Sequence, residues 1–285
     1  MTGPSGTTAF VDLHMHSTAS DGSRSPGDVV RAAKRAALSA IALTDHDTVD
    51  GLAEARIVGA ELGVRIINGV ELSAVEGELE THLLGLHLQD TGVLERGLGA
   101  LREMRGRRAA HIVERLQSIG VQITLDDVLL QSGEGAIGRP HVARALVADG
   151  WATDVRDAFD RYLGANKPAY VAKDQLGMRE AIAMVHAAGG LAVLAHPGTA
   201  GTRERLESLA ALGMDGVEVK HPSHSSQDTA RLRALTDELE LIPSGGSDWH
   251  GAADGPRTIG MMRVQGEWLD RQDARLASLG RVPTA

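Results

Sequence analysis

Short apolar runs alternate with amphipathic stretches over the first 88 residues. Residues 10–15 read as a strand. Ser25-Pro26-Gly27-Asp28 then supplies a capping side chain and a proline at the first helical position, followed by Val29, Val30, Ala33 and Ala37 at helical spacing, so a helix ends near residue 38. Strands are predicted at 40–44, 64–70 and 82–88, with a helix over 49–62. The alternation resumes after residue 175. It predicts helices at 178–188, 202–212 and 225–239, and strands at 191–195, 216–219 and 241–243. Seven strands alternating with helices build either a parallel sheet or a closed barrel. Both arrangements place functional groups at the C-terminal ends of the strands.

Residues 95–173 break this pattern. They read as helical throughout and carry arginines at 96, 102, 105, 107, 108, 115, 139, 144, 156 and 161. This stretch is predicted to be an inserted helical subdomain, with the barrel assembled from 9–94 and 174–264 and a polar C-terminal tail over 265–285. The insertion has twelve basic and ten acidic side chains, a net +2, while the rest of the chain carries −11. The run from Arg102 to Arg108 reads equally well as a solvated helix face.

Composition narrows the chemistry. The 285 residues include twelve histidines and no cysteine, so any metal must be held by nitrogen and oxygen; disulfides and thiolate nucleophiles are excluded. Thirty-four glycines and only seven aromatics point to a core of small aliphatic side chains with many turns. A net charge of −9 argues against a duplex-DNA binder. No apolar run approaches the roughly 18 residues of a membrane span, and the first ten residues lack a basic segment followed by an apolar one. A soluble, cytoplasmic protein is expected.

The histidines and acids cluster by topology. His14 and His16 lie two apart on the first predicted strand and therefore share a face. Asp21 lies in the following loop, His46 follows the second strand, Glu71 ends the third, His82 opens the fourth, His196 ends the fifth, and Asp248 and His250 follow the seventh. In a barrel such positions converge on one mouth. Any one of these histidines could equally cap a backbone group, but nine residues sharing one topological position are poorly explained by coincidence. Six imidazoles and three carboxylates exceed the four to six positions that one transition metal offers, so two or three ions are implied. Asp12 shares the face of His14 but lies deeper, inside the barrel. His87, His111 and His186 lack this placement and read as structural or surface residues.

The motifs His14-Met-His16, Asp21-Gly22, Thr44-Asp45-His46-Asp47, Gly69-Val70-Glu71, His82, Ala195-His196-Pro197 and Gly246-Ser247-Asp248-Trp249-His250 resemble those of the polymerase and histidinol phosphatase (PHP) superfamily, in the same order. Gly138-Arg139-Pro140-His141 and His221-Pro222-Ser223-His224 narrow the resemblance to its small nucleotide phosphoesterases. The resemblance implies a distorted seven-stranded (β/α) barrel with an inserted helical subdomain and a trinuclear site, usually of manganese. It also implies a ligand distribution: His14, His16 and Asp248 on one ion, Glu71 bridging to a second that takes His82 and His196, and Asp21, His46 and His250 on a third. Iron or zinc would suit the same donors.

Adjacent divalent ions lower the pKa of a shared water and deliver hydroxide to a phosphate ester, so a metal-dependent phosphoric ester hydrolase is expected, with His224 or His221 as general acid. A second phosphate would need its own cations, and Arg139, His141 and Lys167 in the insertion are the candidates, although each could be an ordinary surface or capping residue. The favoured substrate is a nucleoside 3′,5′-bisphosphate losing its 3′-phosphate. The nearest alternative is a 5′-3′ exoribonuclease on short 5′-phosphorylated RNA; the insertion's few aromatics offer little stacking platform for a long strand. A histidinol phosphate phosphatase would have no second phosphate for the insertion to bind. A non-catalytic nucleotide or metal sensor would be expected to have lost ligands.

Overall fold

The computed structural model describes residues 9–77, 79–132, 137–171, 176–255 and 257–282. Its elements run β1 (Phe10–Asp12), α1 (Pro26–Arg35), β2 (Leu38–Leu43), α2 (Leu52–Leu62), β3 (Arg65–Glu76), β4 (Leu79–Leu86), α3 (Thr91–Ser118), α4 (Leu125–Ser132), α5 (Arg139–Ala148) and α6 (Val155–Ala158). They continue with α7 (Met178–Ala187), β5 (Leu191–Leu194), α8 (Arg203–Ala211), β6 (Gly216–Lys220), α9 (Ser226–Glu238), β7 (Ile242–Gly245), β8 (Val264–Gln265) and α10 (Gly266–Ser278). The Ser25 side chain accepts from the Asp28 amide and starts α1 at Pro26, as the cap-proline pattern requires.

The strands form one sheet in the order β7-β6-β5-β4-β3-β2-β1-β8. The sheet curls into a nearly closed barrel, because the Leu13 amide donates to the Gly245 carbonyl at 3.1 Å and Met15 bridges Trp249. Two features differ from seven parallel strands. An eighth strand, only two residues long, lies antiparallel to β1 with Val11 opposite Val264, and is too short to leave an alternation signal. The other is β4, which runs antiparallel to both β3 and β5, because a tight turn through Gly77 (φ +62°) leaves no length for a crossover. The reversal places the start of β4, and not its end, at the same mouth as the C-terminal ends of the parallel strands.

The strands bury aliphatic side chains: Leu13, Ile41, Ile67, Leu84, Val193 and Val217 are fully buried. Residues 266–278 do not form the expected polar tail. They form α10, which buries Trp268, Leu269, Gln272 and Leu276 along a narrow stripe at helical spacing, in contact with β7, β1 and β8.

The chain divides into two compact units, one comprising Met1–Glu95 with Leu176–Ala285 and the other Arg96–Gln175. The second unit has its own core, built around Ile112, Leu116, Val128, Val142, Leu146 and Leu163. Among the described residues no helix is long and apolar enough to cross a membrane.

Candidate metal centre

After β1 the chain stays extended, and His14 and His16 point to the same side, fully buried. The loop after β7 closes directly against them. A Cβ on Gly246 would lie 2.4 Å from both the amide nitrogen and Cβ of His14, so only glycine lets this loop bring Asp248 to the mouth. The Asp248 amide donates to the His14 carbonyl at 2.9 Å and its φ is +51°. Asp45 clamps the loop carrying Asp21. Its carboxylate accepts from the Ser17 amide (2.6 Å), the Ser17 hydroxyl (2.7 Å) and the Ser20 hydroxyl (2.8 Å). Asp12, deep in the barrel, accepts from the Ser247 and Gly260 amides at 2.8 Å each, and burial pushes its carboxyl up to about 6.

Glu71 sits at the middle of the cluster with its two oxygens facing different histidines. Oε1 lies 2.8 Å from His82 Nδ1 and 3.0 Å from His196 Nε2, while Oε2 lies 3.1 Å from both His14 Nε2 and His16 Nε2 and 3.4 Å from His46 Nδ1. Asp248 Oδ1 stands 3.2 Å from His16 Nε2 and 3.5 Å from His14 Nε2. Asp21 reaches His250 Nε2 at 3.2 Å. Four sets follow among the described residues in which every donor atom lies within 4.8 Å of the others: His14, His16, Glu71 and Asp248; His46, Glu71 and His82; His16, Asp21, His46 and His250; and, behind them, His14, Glu218 and His221. All nine sequence candidates therefore meet at one mouth, with His82 reaching it from the first half of the reversed β4. His87, by contrast, bonds Gln272, and His186 bonds Asp215.

The electrostatics fit cations. Burial alone would raise the Glu71 carboxyl, but the His14 imidazole, with contacts from His16 and His196, holds it well below the usual carboxylate range. His14 shows the converse. Burial opposes its charge, yet Glu218 and Glu71 on either side hold it well above the usual imidazole value, so positive charge is favoured there. Both ring nitrogens of His16 are buried with no hydrogen-bond partner among the described residues, although Nε2 faces two carboxylates. A buried imidazole left without hydrogen bonds costs about 1–3 kcal/mol, and a coordinating cation removes that cost.

The region matches the PHP domain over residues 12–210, well over half of the chain. The chain belongs to the PHP domain family. It is 37% identical over 259 residues to a 3′,5′-nucleoside bisphosphate phosphatase from Chromobacterium violaceum, covering 88% of this chain and 91% of that one. It is also 37% identical to the 5′-3′ exoribonuclease Rnm of Escherichia coli, covering 84% of each. A solved structure named as a metal-dependent phosphoesterase from Bifidobacterium adolescentis superposes with a TM-score of 0.72 at 33% identity, covering 95% of this chain and 97% of its own. This PHP protein is accordingly a metal-dependent phosphoesterase, a hydrolase.

The two candidates for general acid differ in their bonding. His224 Nδ1 donates to the Val219 carbonyl (2.9 Å), so its Nε2 carries the lone pair and accepts from the Gly198 amide (3.1 Å). His221 Nδ1 accepts from the Ser223 amide (3.1 Å), so its proton is on Nε2, which donates to Asp248 Oδ2 at 3.2 Å. Arg257 also contacts Asp248 Oδ2, leaving Oδ1 toward the imidazoles. A cavity of about 200 Å³ opens beside His82 and His196, walled by Leu79, Ala195, Pro197 and Ala200.

In the second unit, Arg139 is the first residue of α5, its guanidinium 5.7 Å from the Phe159 ring centre and 6.0 Å from that of Tyr170. His141 Nδ1 accepts from the Gly138 amide at 2.9 Å, and Lys167 is exposed in the turn before Tyr170. Sequence reasoning passed over Glu218 and Arg257, and gave Asp45 no role beyond its place in the Thr44-Asp45-His46-Asp47 motif. Glu218 alone left a signal, as an isolated acid between two apolar residues of an interior strand.

Proposed function

We propose that this centre holds two to three divalent cations, manganese by preference and iron or zinc as alternatives. Its ligands are His14, His16, Asp21, His46, Glu71, His82, His196, Asp248 and His250, and it removes the 3′-phosphate of nucleoside 3′,5′-bisphosphates. The observation that carries this reading is the convergence of six imidazoles and three carboxylates on one mouth, with His16 fully buried there and its Nε2 facing both Glu71 and Asp248. When bound, such cations polarise a phosphoryl oxygen and bring the pKa of a water to near 7.

The chain's own residues do the rest. Glu71, with each oxygen toward a different histidine set, suits a bridging carboxylate. His221 and Arg257 hold Oδ2 of Asp248 and so aim Oδ1 inward. Of the two general-acid candidates, His221 carries its proton on the nitrogen beside Asp248, whereas His224 presents a lone pair already used by Gly198. Arg139, backed by two aromatic rings, is assigned the second phosphate on its bidentate chemistry, with His141 and Lys167. The name of the Chromobacterium relative supports the substrate.

The equally similar Escherichia coli relative favours a second reading, exoribonuclease action on short 5′-phosphorylated RNA. Manganese-loaded protein offered both substrates separates them. Orthophosphate released from adenosine 3′,5′-bisphosphate is the expected result. A mononucleotide ladder from the RNA with no orthophosphate from the bisphosphate would select the second reading. Arg139→Lys should raise KM for the bisphosphate about tenfold more than for a simple phosphate monoester. Equal effects on both would remove Arg139 from the second-phosphate role.

A further inference from the structure

Glu218 is a fully buried carboxylate on β6, and the only ionic partner it has among the described residues is an imidazole. Its Oε1 accepts from His14 Nδ1 at 3.0 Å, and its Oε2 accepts from the backbone amide of His196 at 2.8 Å. The second contact has a topological cause. The β5–β6 ladder runs through Val193 opposite Gly216 and Leu194 opposite Val217, and there it ends. His196 lies just past the end of β5 with φ of +28°, turned out of strand geometry, so no ladder carbonyl meets its amide. The Glu218 side chain supplies the missing acceptor.

We propose that Glu218 is the positioning residue of the metal centre, one carboxylate that fixes both the tautomer of His14 and the backbone of His196. This rests on the metal-centre reading above. By holding hydrogen on Nδ1 of His14, Glu218 leaves Nε2, 3.1 Å from Glu71 and 3.5 Å from Asp248, as the nitrogen that a cation between these carboxylates would take. By holding the His196 amide, it keeps that ring turned so that Nε2 lies 3.0 Å from Glu71 Oε1. The two imidazoles face different oxygens of Glu71, so a single carboxylate behind them orders ligands assigned to two different ions. Only a carboxylate serves. Both groups it meets are donors, and a glutamine of the same shape offers one acceptor and one donor.

Glu218→Gln in the full-length chain therefore leaves one of the two donors facing an NH2. It is expected to weaken zinc binding, followed by calorimetry and elemental analysis, about 10- to 100-fold. Glu218→Asp, too short to span both groups, should fall in the same range. A spectroscopic readout needs no variant. In zinc-loaded wild-type protein with 15N-labelled histidine, His14 should show a protonated Nδ1 and a coordinated Nε2. Zinc affinity of Glu218→Gln equal to wild type would overturn the proposal, as would a His14 coordinated through Nδ1. If Glu218→Gln does not fold, the wild-type spectrum decides. A wild-type chain that binds no divalent ion would instead fail the metal-centre reading itself.

Discussion

Gly246→Ala tests how closely the loop after β7 must approach the first ligand strand. The added Cβ would lie 2.4 Å from the Cβ and amide nitrogen of His14 and 2.8 Å from its Cα, where ordinary carbon contacts begin near 3.4 Å. These are backbone and Cβ atoms of a fully buried residue, so no side-chain rotation relieves the clash, and His14 or the loop must move by about 1 Å. Overpacking of this kind costs about 1–3 kcal/mol. A displacement of about 1 Å at a catalytic centre costs on the order of 100-fold in rate. Phosphate release under manganese saturation, read with the midpoint of urea unfolding, should show both losses together. Gly106→Ala is the control, since Gly106 lies inside α3 and a Cβ there meets nothing within 4 Å. That change should leave activity intact and add up to about 1 kcal/mol of stability through helix propensity. A Gly246→Ala protein with wild-type activity and stability would show that the close approach does not position His14.

Removing divalent ions with a chelator should abolish phosphatase activity while leaving the far-UV circular dichroism of the barrel in place, because the strand cores are aliphatic and independent of the cluster. Readdition of manganese should restore activity at two to three ions per chain by elemental analysis; full activity with fewer than two would contradict a multinuclear centre. Metal-free protein should also lose stability in acid through His87, which burial pushes down to about 4 from an ordinary 6.5. The folded chain thus holds His87 neutral and the unfolded chain takes up the proton first, so this contribution is present above pH 6.5 and is lost as pH falls toward 4, by about 2 kcal/mol at pH 5. Urea titrations of metal-free wild type and His87→Asn at pH 7 and pH 5 check the sign. Asparagine tolerates the φ of +59°, and its stability should fall less across that interval than the wild type's; parallel losses would place the acid sensitivity elsewhere.

Much of the barrel was legible because apolar alternation and helix caps report burial directly. The helix before β2 starts at Pro26 because Ser25 caps it, and the spacing of Val29, Val30 and Ala33 names its buried face. The direction of β4 was not legible, since a strand alternates identically in either sense and only its partners define parallel or antiparallel. The candidate ligands survived that error. His82 was placed at the beginning of its strand; the strand begins three residues earlier, at Leu79, but reversal still brings this half to the mouth. Glu218 escaped notice for a different reason. The acids put forward as ligands were recognised by their predicted position at or beyond strand ends, although β3 runs on to Glu76 past Glu71, whereas Glu218 was predicted inside a strand and acts through two partners remote in sequence, His14 and His196. The helix α10 was hidden by its surface. Its apolar stripe is only Trp268, Leu269 and Leu276, among acids and arginines that face water.

Backbone strain marks the places where this PHP barrel departs from regular geometry for the sake of its centre. Asp248 at φ +51° and His196 at φ +28° are non-glycine residues in left-handed conformations, and both lie just after strands that deliver side chains to the mouth. Each such residue costs on the order of 1–3 kcal/mol, and the surrounding hydrogen bonds offset it: the Asp248 amide on His14 O and the His196 amide on Glu218. If the left-handed turn at 248 is imposed by the loop and is not a consequence of the carboxylate, it persists when the side chain is removed. Alanine then retains the strain and glycine does not. Asp248→Gly and Asp248→Ala lose the same contacts to His16, His221 and Arg257, so their difference isolates the backbone. Glycine should be the more stable by about 1 kcal/mol in metal-free urea unfolding, after allowing for the larger conformational freedom that glycine gives the unfolded chain. Both proteins should bind less metal than the wild type. An alanine variant as stable as the glycine variant would mean that the turn relaxes once the carboxylate is gone, so that Asp248 itself holds the loop in place.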